Sequence, residues 1–178
     1  MKLLYVRHGK TQGNVDKSYI GRIESPLLKE GIEDAKKVGK QIHSSGERID
    51  VIYTSKSKRQ LDTAQIIATE IGYPADKIVI TDLLLERAGG DFEGKPQSEF
   101  FAMSEEKQIE AGAESFKDLA DRAVAIVERA EAEYPNGTVL LVSSAAIGEM
   151  IRAMIKYSDH TRMFDDGPMP NTELVQLI

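Results

Sequence analysis

The sequence of 178 residues contains no cysteine. This absence excludes a disulfide framework, a thiol nucleophile and any zinc or iron–sulfur site held by cysteine. Histidine is also scarce, because the chain has only His8, His43 and His160, and no two of them are close enough in sequence to form a helical metal pair. We therefore expect a chemistry without a resident metal, and we expect no cofactor.

Positive charge and long apolar stretches are lacking as well. The formal net charge is −6 at pH 7, with 41% hydrophobic and 29% charged residues. Proteins that bind nucleic acid usually carry a net basic face, so we expect no nucleic-acid partner. The negative net charge does not exclude a small local cluster of arginines around an anionic ligand. No apolar run approaches the roughly 20 residues of a membrane span, and the N-terminus becomes polar too early for a signal peptide. We therefore expect a cytoplasmic protein with no membrane partner.

The hydrophobic pattern alternates between strand-like and helix-like segments. It predicts strands over 2–6, 50–53, 78–80, 138–142 and 172–178, and helices over 26–43, 57–71, 116–132 and 145–157. Such an alternation is typical of an α/β protein with a mostly parallel sheet and helices on both faces, a three-layer α/β/α fold. The length suits one domain over 1–178, in which the least regular stretch, 95–113, is a candidate lid or insertion.

Polar side chains follow the first three predicted strands, at the sheet edge where ligands bind in folds of this type. Arg7 and His8 follow the first strand, Arg59 follows the second and Glu86 follows the third. Two guanidinium groups can hold a phosphate through paired hydrogen bonds, because their donors form a fixed fork. Each of these residues is commonplace alone, and their joint occurrence at three strand ends is what indicates a site.

These residue types support nucleophilic catalysis on a phosphomonoester. An imidazole nitrogen of His8 can attack phosphorus and form a phosphohistidine. The carboxyl group of Glu86 can protonate the departing alkoxide and later deprotonate the attacking water. Gly9 would let the backbone approach the phosphate and supply an N–H group. The expected ligand is a small-molecule phosphomonoester or inorganic phosphate.

Along nearly its whole length the sequence resembles the histidine phosphatase superfamily, also called the phosphoglycerate mutase-like family. The run at 7–11 together with Asn14 is similar to its opening R-H-G-x-T-x-x-N motif. The segment 21–31 is similar to G-R-x-x-x-P-L-x-x-x-G, and 53–64 is similar to Y-x-S-x-x-x-R-x-x-x-T-A. Residues 86–94 match E-x-x-x-G-x-[WF]-E-G position for position.

The resemblance implies a phosphoglycerate mutase-like fold and a role for each matching residue. The implied catalytic set is His8 as nucleophile, Glu86 as proton donor and acceptor, and Arg7 and Arg59 as phosphoryl binders. The phosphate and substrate contacts implied with it are Arg7, Asn14, Gly21, Arg22, Arg59 and Ser144. Members of this family need no metal.

One position departs from the family pattern. After the fourth strand the family reads V-S-H-G or a near variant, whereas this chain reads V-S-S-A at 142–145, with Ser144 at the position of the second histidine. A serine hydroxyl donates one neutral hydrogen bond and brings no positive charge. Losing a donor that points at the transition-state oxygens typically costs about 10²–10³ in rate.

We therefore expect a weakened phosphomonoester hydrolase that acts through His8, and two alternatives stay open. A non-catalytic module would keep the cradle of Arg7 and Arg59 and bind a phosphate ligand without turnover. A phosphoglycerate-type mutase would need a cover that keeps water from the intermediate, for which 178 residues leave little material. Ser144 itself fits a slow natural enzyme, a binding module or an engineered variant, and neither substrate identity nor oligomeric state follows from the pattern.

A metal chelator should leave the hydrolysis rate of a phosphomonoester unchanged, because the sequence offers no cluster of metal ligands. The measurement compares steady-state rates with and without the chelator. A rate that falls in chelator and recovers with a divalent cation would point to a different chemistry.

Overall fold

The computed structural model describes residues 1–178, and its centre is one five-stranded sheet. The strands are β1 (Lys2–Arg7), β2 (Val51–Thr54), β3 (Val79–Ile80), β4 (Thr138–Ser143) and β5 (Leu174–Gln176). Their order across the sheet is β3-β2-β4-β1-β5. All neighbours pair in parallel except β5, which runs antiparallel to β1. The prediction of a mostly parallel sheet is confirmed.

Seven α-helices connect and flank the strands. They are α1 (Gln12–Val15), α2 (Lys29–Ser45), α3 (Lys58–Ile71), α4 (Gln97–Phe101), α5 (Glu105–Glu110), α6 (Phe116–Glu133) and α7 (Ala145–Tyr157). Four short 3₁₀ helices lie at Ala75–Lys77, Asp82–Leu84, Gly90–Phe92 and His160–Arg162. None of the helices combines the length and the apolar character that crossing a lipid bilayer requires.

Two hydrophobic clusters on opposite faces of the sheet make the three layers. Because side chains alternate along a strand, Leu3 and Tyr5 of β1 pack into the cluster that includes residues of α6 and α7. Leu4 and Val6 point the other way, into the cluster that includes residues of α2 and α3. Both faces of the central strands are therefore buried, and the predicted α/β/α architecture is confirmed.

Several predicted boundaries were wrong, for local reasons. The helix predicted over 26–43 begins at Lys29, because the chain before it pairs Leu27 with Thr11 in an isolated β-bridge. The strand predicted over 172–178 shortens to Leu174–Gln176, since Thr172 has a φ of 49° that is incompatible with an extended strand. The short helix α1 was not predicted, and it depends on a capping box between Thr11 and Asn14.

The irregular stretch over 95–113 contains α4 and α5 and is anchored to the body by aromatic packing. The buried ring of Phe100 lies 4.0 Å from the ring of Tyr19, centroid to centroid. The side-chain amide of Gln108 donates to the carbonyl of Phe100 at 2.9 Å and accepts from Arg87 at 2.9 Å. These contacts give the stretch a fixed place in this structure, and its role as a lid stays a prediction.

Candidate active site

His8 lies immediately beyond β1 and is 2% exposed. Its Nδ1 donates to the carbonyl of Gly9 at 2.8 Å, and its Nε2 accepts from Nε of Arg59 at 3.2 Å. Burial, followed by the positive charge of Arg59, lowers the pKa of His8 well below its ordinary value. The imidazole is therefore neutral at pH 7, with its unprotonated nitrogen on the side of Arg59.

The backbone around His8 is held on two sides. The N–H of His8 donates to the carbonyl of Ser143 on the neighbouring strand β4 at 2.8 Å. From the chain before β5, the side chain of Asn171 donates to the carbonyl of His8 at 2.7 Å, and the N–H of Thr172 donates to the carbonyl of Arg7 at 3.0 Å. The sheet and the C-terminal segment together fix the Arg7-His8 dipeptide.

Arg59 enters the site from the first turn of α3 and is 1% exposed. Besides its contact with His8, it donates through Nη2 to the carbonyl of Gly21 at 2.7 Å and through Nη1 to the carbonyl of Ile23 at 3.0 Å. The loop that carries these carbonyls therefore lies over the guanidinium group. These contacts use three of the five N–H groups of the guanidinium, so two N–H groups stay without a hydrogen bond and can donate to a phosphate.

Arg7 is partly buried, and one of its N–H donors has no hydrogen-bond partner. Its Nη1 donates to the carbonyl of Met169 at 2.7 Å, whereas its buried Nε has no hydrogen-bond partner. Leaving a buried N–H group unpaired costs about 1–3 kcal/mol. The unpaired Nε of Arg7 is therefore a ready donor for an anionic oxygen.

Glu86 is held at the N-terminus of α7, where backbone N–H groups favour an anion. Its Oε1 accepts from the N–H of Ala146 at 3.1 Å and from the N–H of Arg87 at 2.9 Å. The charge of Glu86 also raises the pKa of Arg59 and so opposes the larger lowering caused by burial. The carboxylate and the arginine thus belong to the same electrostatic cluster.

Ser144 is fully buried between β4 and α7. It is the N-cap residue of α7, but its hydroxyl makes no cap bond and instead accepts a hydrogen bond from the amide of Gln60. That amide is in turn held by the hydroxyl of Ser55. The hydroxyl hydrogen of Ser144 has no acceptor within the protein, so the side chain retains one neutral donor.

The remaining predicted substrate contacts lie at the edge of this cluster. Asn14 uses its Oδ1 to accept from the N–H and the hydroxyl of Thr11, both at 3.1 Å, and it also lines the neighbouring cleft. Arg22 is exposed and donates to the carbonyl of Glu86 at 3.3 Å and to the carboxylate of Glu114 at 3.3 Å. The Arg22 side chain therefore lies at the rim, in an ion pair.

The loop at Gly21 requires glycine. Gly21 has a φ of 53°, and a Cβ at this position would lie 2.3 Å from the carboxylate of Glu93. The same carboxylate accepts from the N–H groups of Arg22 at 2.9 Å and Gly89 at 3.0 Å. Glu93 therefore fastens the loop over Arg59 to the segment after Glu86.

Gly9 packs against the backbone of α2, and its role beside the phosphate stays a prediction. Its N–H donates to the hydroxyl of Thr63 at 3.0 Å, so this group is engaged within the protein. A Cβ on Gly9 would lie 2.5 Å from the carbonyl oxygen of Gly31. Glycine is needed here because the segment after His8 packs directly on the backbone of α2.

Glu149 is a site residue that the sequence reasoning missed. It is 7% exposed on α7 and accepts from the N–H of Met169 at 3.0 Å through Oε1. Burial, supported by the charge of Glu86, raises the pKa of Glu149 to about 7, although the Met169 N–H, Arg7 and Arg152 act in the opposite direction. The sequence signal that could have identified Glu149 is its position, since it is an acidic residue on the apolar face of a predicted helix.

A cleft of 610 Å³ opens beside Arg7 and the start of α7. Side chains with recognition chemistry contribute to its walls, namely Arg7, Asn14, Gln97, Phe101, Glu149 and Phe164. No group of three or more histidine, aspartate or glutamate side chains in the structure could hold a metal ion. Arg7 is therefore the residue that joins the cluster around His8 to a polar and aromatic cleft.

Comparisons with known proteins agree with this geometry. A family model described as "Histidine phosphatase superfamily (branch 1)" matches residues 3–178. A metal-independent phosphoserine phosphatase of Arabidopsis thaliana is 31% identical over 160 residues, which are 82% of this chain and 65% of that protein, so the chain spans less than two thirds of that relative's length. A 2,3-bisphosphoglycerate-dependent phosphoglycerate mutase of Bradyrhizobium sp. (strain ORS 278) is 30% identical over 86% of this chain and 78% of its own length.

Solved structures are similar over nearly the whole chain. The structure described as Bacillus stearothermophilus YhfR has a TM-score of 0.84 and 28% identity, covering 98% of this chain and 89% of that one. A mycobacterial glucosyl-3-phosphoglycerate phosphatase has a TM-score of 0.82 and 21% identity, covering 98% of this chain and 88% of that one. At 21% identity, the similarity to the mycobacterial phosphatase shows a shared fold only.

Replacing Glu149 with glutamine should stabilise the protein more at pH 8.5 than at pH 4.5. The folded pKa of about 7 lies above the ordinary value of 4.5, so the folded chain keeps a proton that the unfolded chain releases. Stability from this group is therefore present at low pH and is lost as the pH rises through 4.5 to 7. The gain from Glu149→Gln at high pH is up to roughly 3 kcal/mol, measured by urea denaturation at both pH values.

The matched control is Glu131→Gln, at an exposed position of α6 outside any ion pair, which should shift stability equally at both pH values. Glutamine at 149 keeps an oxygen for the Met169 N–H, so the test isolates the charge. Equal changes in the free energy of unfolding on Glu149→Gln at pH 4.5 and pH 8.5 would contradict the raised pKa of Glu149.

Proposed function

The chain belongs to the histidine phosphatase superfamily, branch 1, and we propose that it is a phosphomonoester hydrolase acting through a phosphohistidine on His8. The observation that carries the proposal is the state of this imidazole, which is buried and neutral and has its Nε2 beside Arg59. An unprotonated ring nitrogen beside anion-binding groups is what attack on phosphorus requires. The ligands of the site are phosphomonoesters and the inorganic phosphate they release.

The first half of the reaction begins when the phosphoryl oxygens bind the free Nε of Arg7 and the guanidinium of Arg59. The hydrogen bond from Nε of Arg59 to Nε2 of His8 breaks as Arg59 turns to the phosphoryl oxygens. The freed lone pair of Nε2 attacks phosphorus, and the bond from phosphorus to the ester oxygen breaks as the new N–P bond forms. Protonated Glu86 gives its proton to the departing oxygen. The carbonyl of Gly9 accepts from Nδ1 and thereby stabilises the positive charge that develops on the ring.

The second half releases phosphate. Glu86, now ionised, takes a proton from a water molecule whose oxygen attacks phosphorus. The N–P bond breaks, and its electron pair returns to Nε2 of His8. This leaves the imidazole neutral and Glu86 protonated, ready for the next ester.

Ser144 makes this hydrolase slow. The hydroxyl lies at the end of β4, where the family places a second histidine, and its spare hydrogen can reach a phosphoryl oxygen only as a neutral donor. A charged donor would stabilise the transition-state oxygens further, and its loss corresponds to about 10²–10³ in rate. Gln60 supports the hydroxyl in its place.

A mutase is less well supported by the cleft. A bisphosphoglycerate carries a second phosphate and a carboxylate, which require further cations. The charged residues that line the cleft are Arg7, which the transferred phosphoryl group uses, and Glu149, which repels anions. A phosphate-binding module without turnover is the second candidate, and the observation that favours it is Ser144.

Hydrolysis of p-nitrophenyl phosphate by the chain, by His8→Ala and by Ser144→His tests the proposal. The chain should turn over slowly and His8→Ala should be inactive, because no nucleophile remains. Ser144→His should be faster by about 10²–10³, since it restores a chargeable donor. The matched control is His43→Ala, which removes an exposed histidine of α2 and should retain the full rate.

Turnover by His8→Ala at the rate of the unchanged chain would overturn the phosphohistidine mechanism. If the chain and Ser144→His are both inactive while phosphate raises their melting temperatures, the binding module replaces the hydrolase. Melting curves also report whether histidine is accommodated at the buried position 144. If Ser144→His does not fold, the comparison of the unchanged chain with His8→Ala and His43→Ala tests the phosphohistidine mechanism.

A further inference from the structure

Arg7 belongs both to the proposed phosphate site and to the wall of the neighbouring cleft. Arg7 lines the cleft and carries the unpaired Nε, and the start of α7 lies at its other side. A phosphoester held by Arg7 therefore extends its organic part into the 610 Å³ of this cleft. The walls of the cleft consequently determine which organic groups fit beside the transferred phosphate.

Two exposed aromatic rings line this cleft. Phe101 is 58% exposed and Phe164 is 55% exposed, and they are the two most exposed of the seven large apolar side chains at the surface. Each ring packs edge-on against a neighbouring ring, Phe101 against Phe100 at 5.7 Å and Phe164 against Phe116 at 5.8 Å between centroids. Exposed rings that are held in place offer a preformed surface for a flat apolar group.

The cleft carries a negative charge away from Arg7, whereas the proposed phosphate site is positively charged. Apart from Arg7, the charged residue in its lining is Glu149, whose Oε1 is engaged by the N–H of Met169. Its Oε2 has no partner within the protein and is available to a ligand. An ammonium or other N–H donor would pair with this oxygen, whereas a ligand carboxylate would be repelled by ionised Glu149.

We propose that this cleft selects phosphomonoesters whose organic part joins an aromatic group to a cationic or N–H-donating group. Phe101 and Phe164 contact the aromatic group, and Glu149 pairs with the cation. The inference rests on the proposed function, because it concerns the organic half of the same substrate. The selected ester is thus anionic at the phosphate and cationic at its far end.

A matched pair of aryl phosphates tests the charge preference. Phosphotyramine carries an ammonium group, and the phosphate ester of 3-(4-hydroxyphenyl)propionate carries a carboxylate on the same ring with a similar phenol as leaving group. At pH 8.5, above the pKa of about 7 of Glu149, the kcat/KM of the chain should favour phosphotyramine by about tenfold or more, which corresponds to at least about 1.4 kcal/mol. Phosphotyramine should also raise the melting temperature more than the carboxylate ester does.

Variants separate recognition from folding. Glu149→Gln keeps the oxygen for Met169 and should bring the ratio of the two kcat/KM values close to one, and this ratio is insensitive to a general loss of folded enzyme. Glu131→Gln on α6 should keep the ratio of the unchanged chain. Phe164→Leu should reduce the preference for phosphotyramine over phosphoethanolamine, which has the ammonium but no ring.

The outcomes distinguish this inference from the proposed function. Release of phosphate from both aryl esters at equal kcat/KM, or a preference that Glu149→Gln leaves unchanged, overturns the inference and leaves the hydrolase in place. Absence of phosphate release from every ester overturns the hydrolase. In that case, phosphotyramine should still raise the melting temperature more than the carboxylate ester does, and Glu149→Gln should abolish this difference. Equal rises in melting temperature with the two esters would overturn the proposed selectivity of the cleft.

Discussion

The hydrogen bond from Arg59 to His8 is the contact on which the rest of the site depends. The guanidinium is almost fully buried beside the imidazole and helps to keep the ring neutral. It can lie there because α3 contacts the segment after β1, where the hydroxyl of Thr63 accepts from the N–H of Gly9. The close approach of Gly9 to Gly31 fixes the same corner from the side of α2. The layered packing of the fold thus determines the geometry of one ring nitrogen.

In the proposed hydrolase, Ser144 provides a neutral donor where the family pattern has a histidine, and the other proposed catalytic residues are present. Tyr5 donates to the carbonyl of Ser144, and Gln60 donates to its hydroxyl, so the position is well supported. Glu86 accepts from the N–H of Ala146 at the start of α7, where the serine hydroxyl makes no cap bond. Under the proposed mechanism, the site keeps its nucleophile, both arginines and its proton carrier, and it lacks one positive charge near the phosphoryl oxygens.

The sequence was sufficient to predict the sheet and the residues at the strand ends, because parallel strands bring their carboxyl ends to one edge. It could not predict the loop over Arg59, whose course depends on a positive φ at Gly21 and on the carboxylate of Glu93. Short helices such as α1 were missed because a single capping box forms them. Glu149 was missed because helical periodicity places it on the core face, and only the folded C-terminal segment at Met169 turns that face into the wall of a cleft.

The central claim is that His8 becomes phosphorylated during turnover. The most direct measurement is to mix the chain with a phosphomonoester, quench it in base and locate the phosphoryl group by peptide mass spectrometry. The account predicts a phosphoryl group on His8 that is stable in base and labile in acid, because a phosphohistidine N–P bond has this stability. Phosphate release with no phosphoryl group on His8, or with an acid-stable one elsewhere, would contradict it.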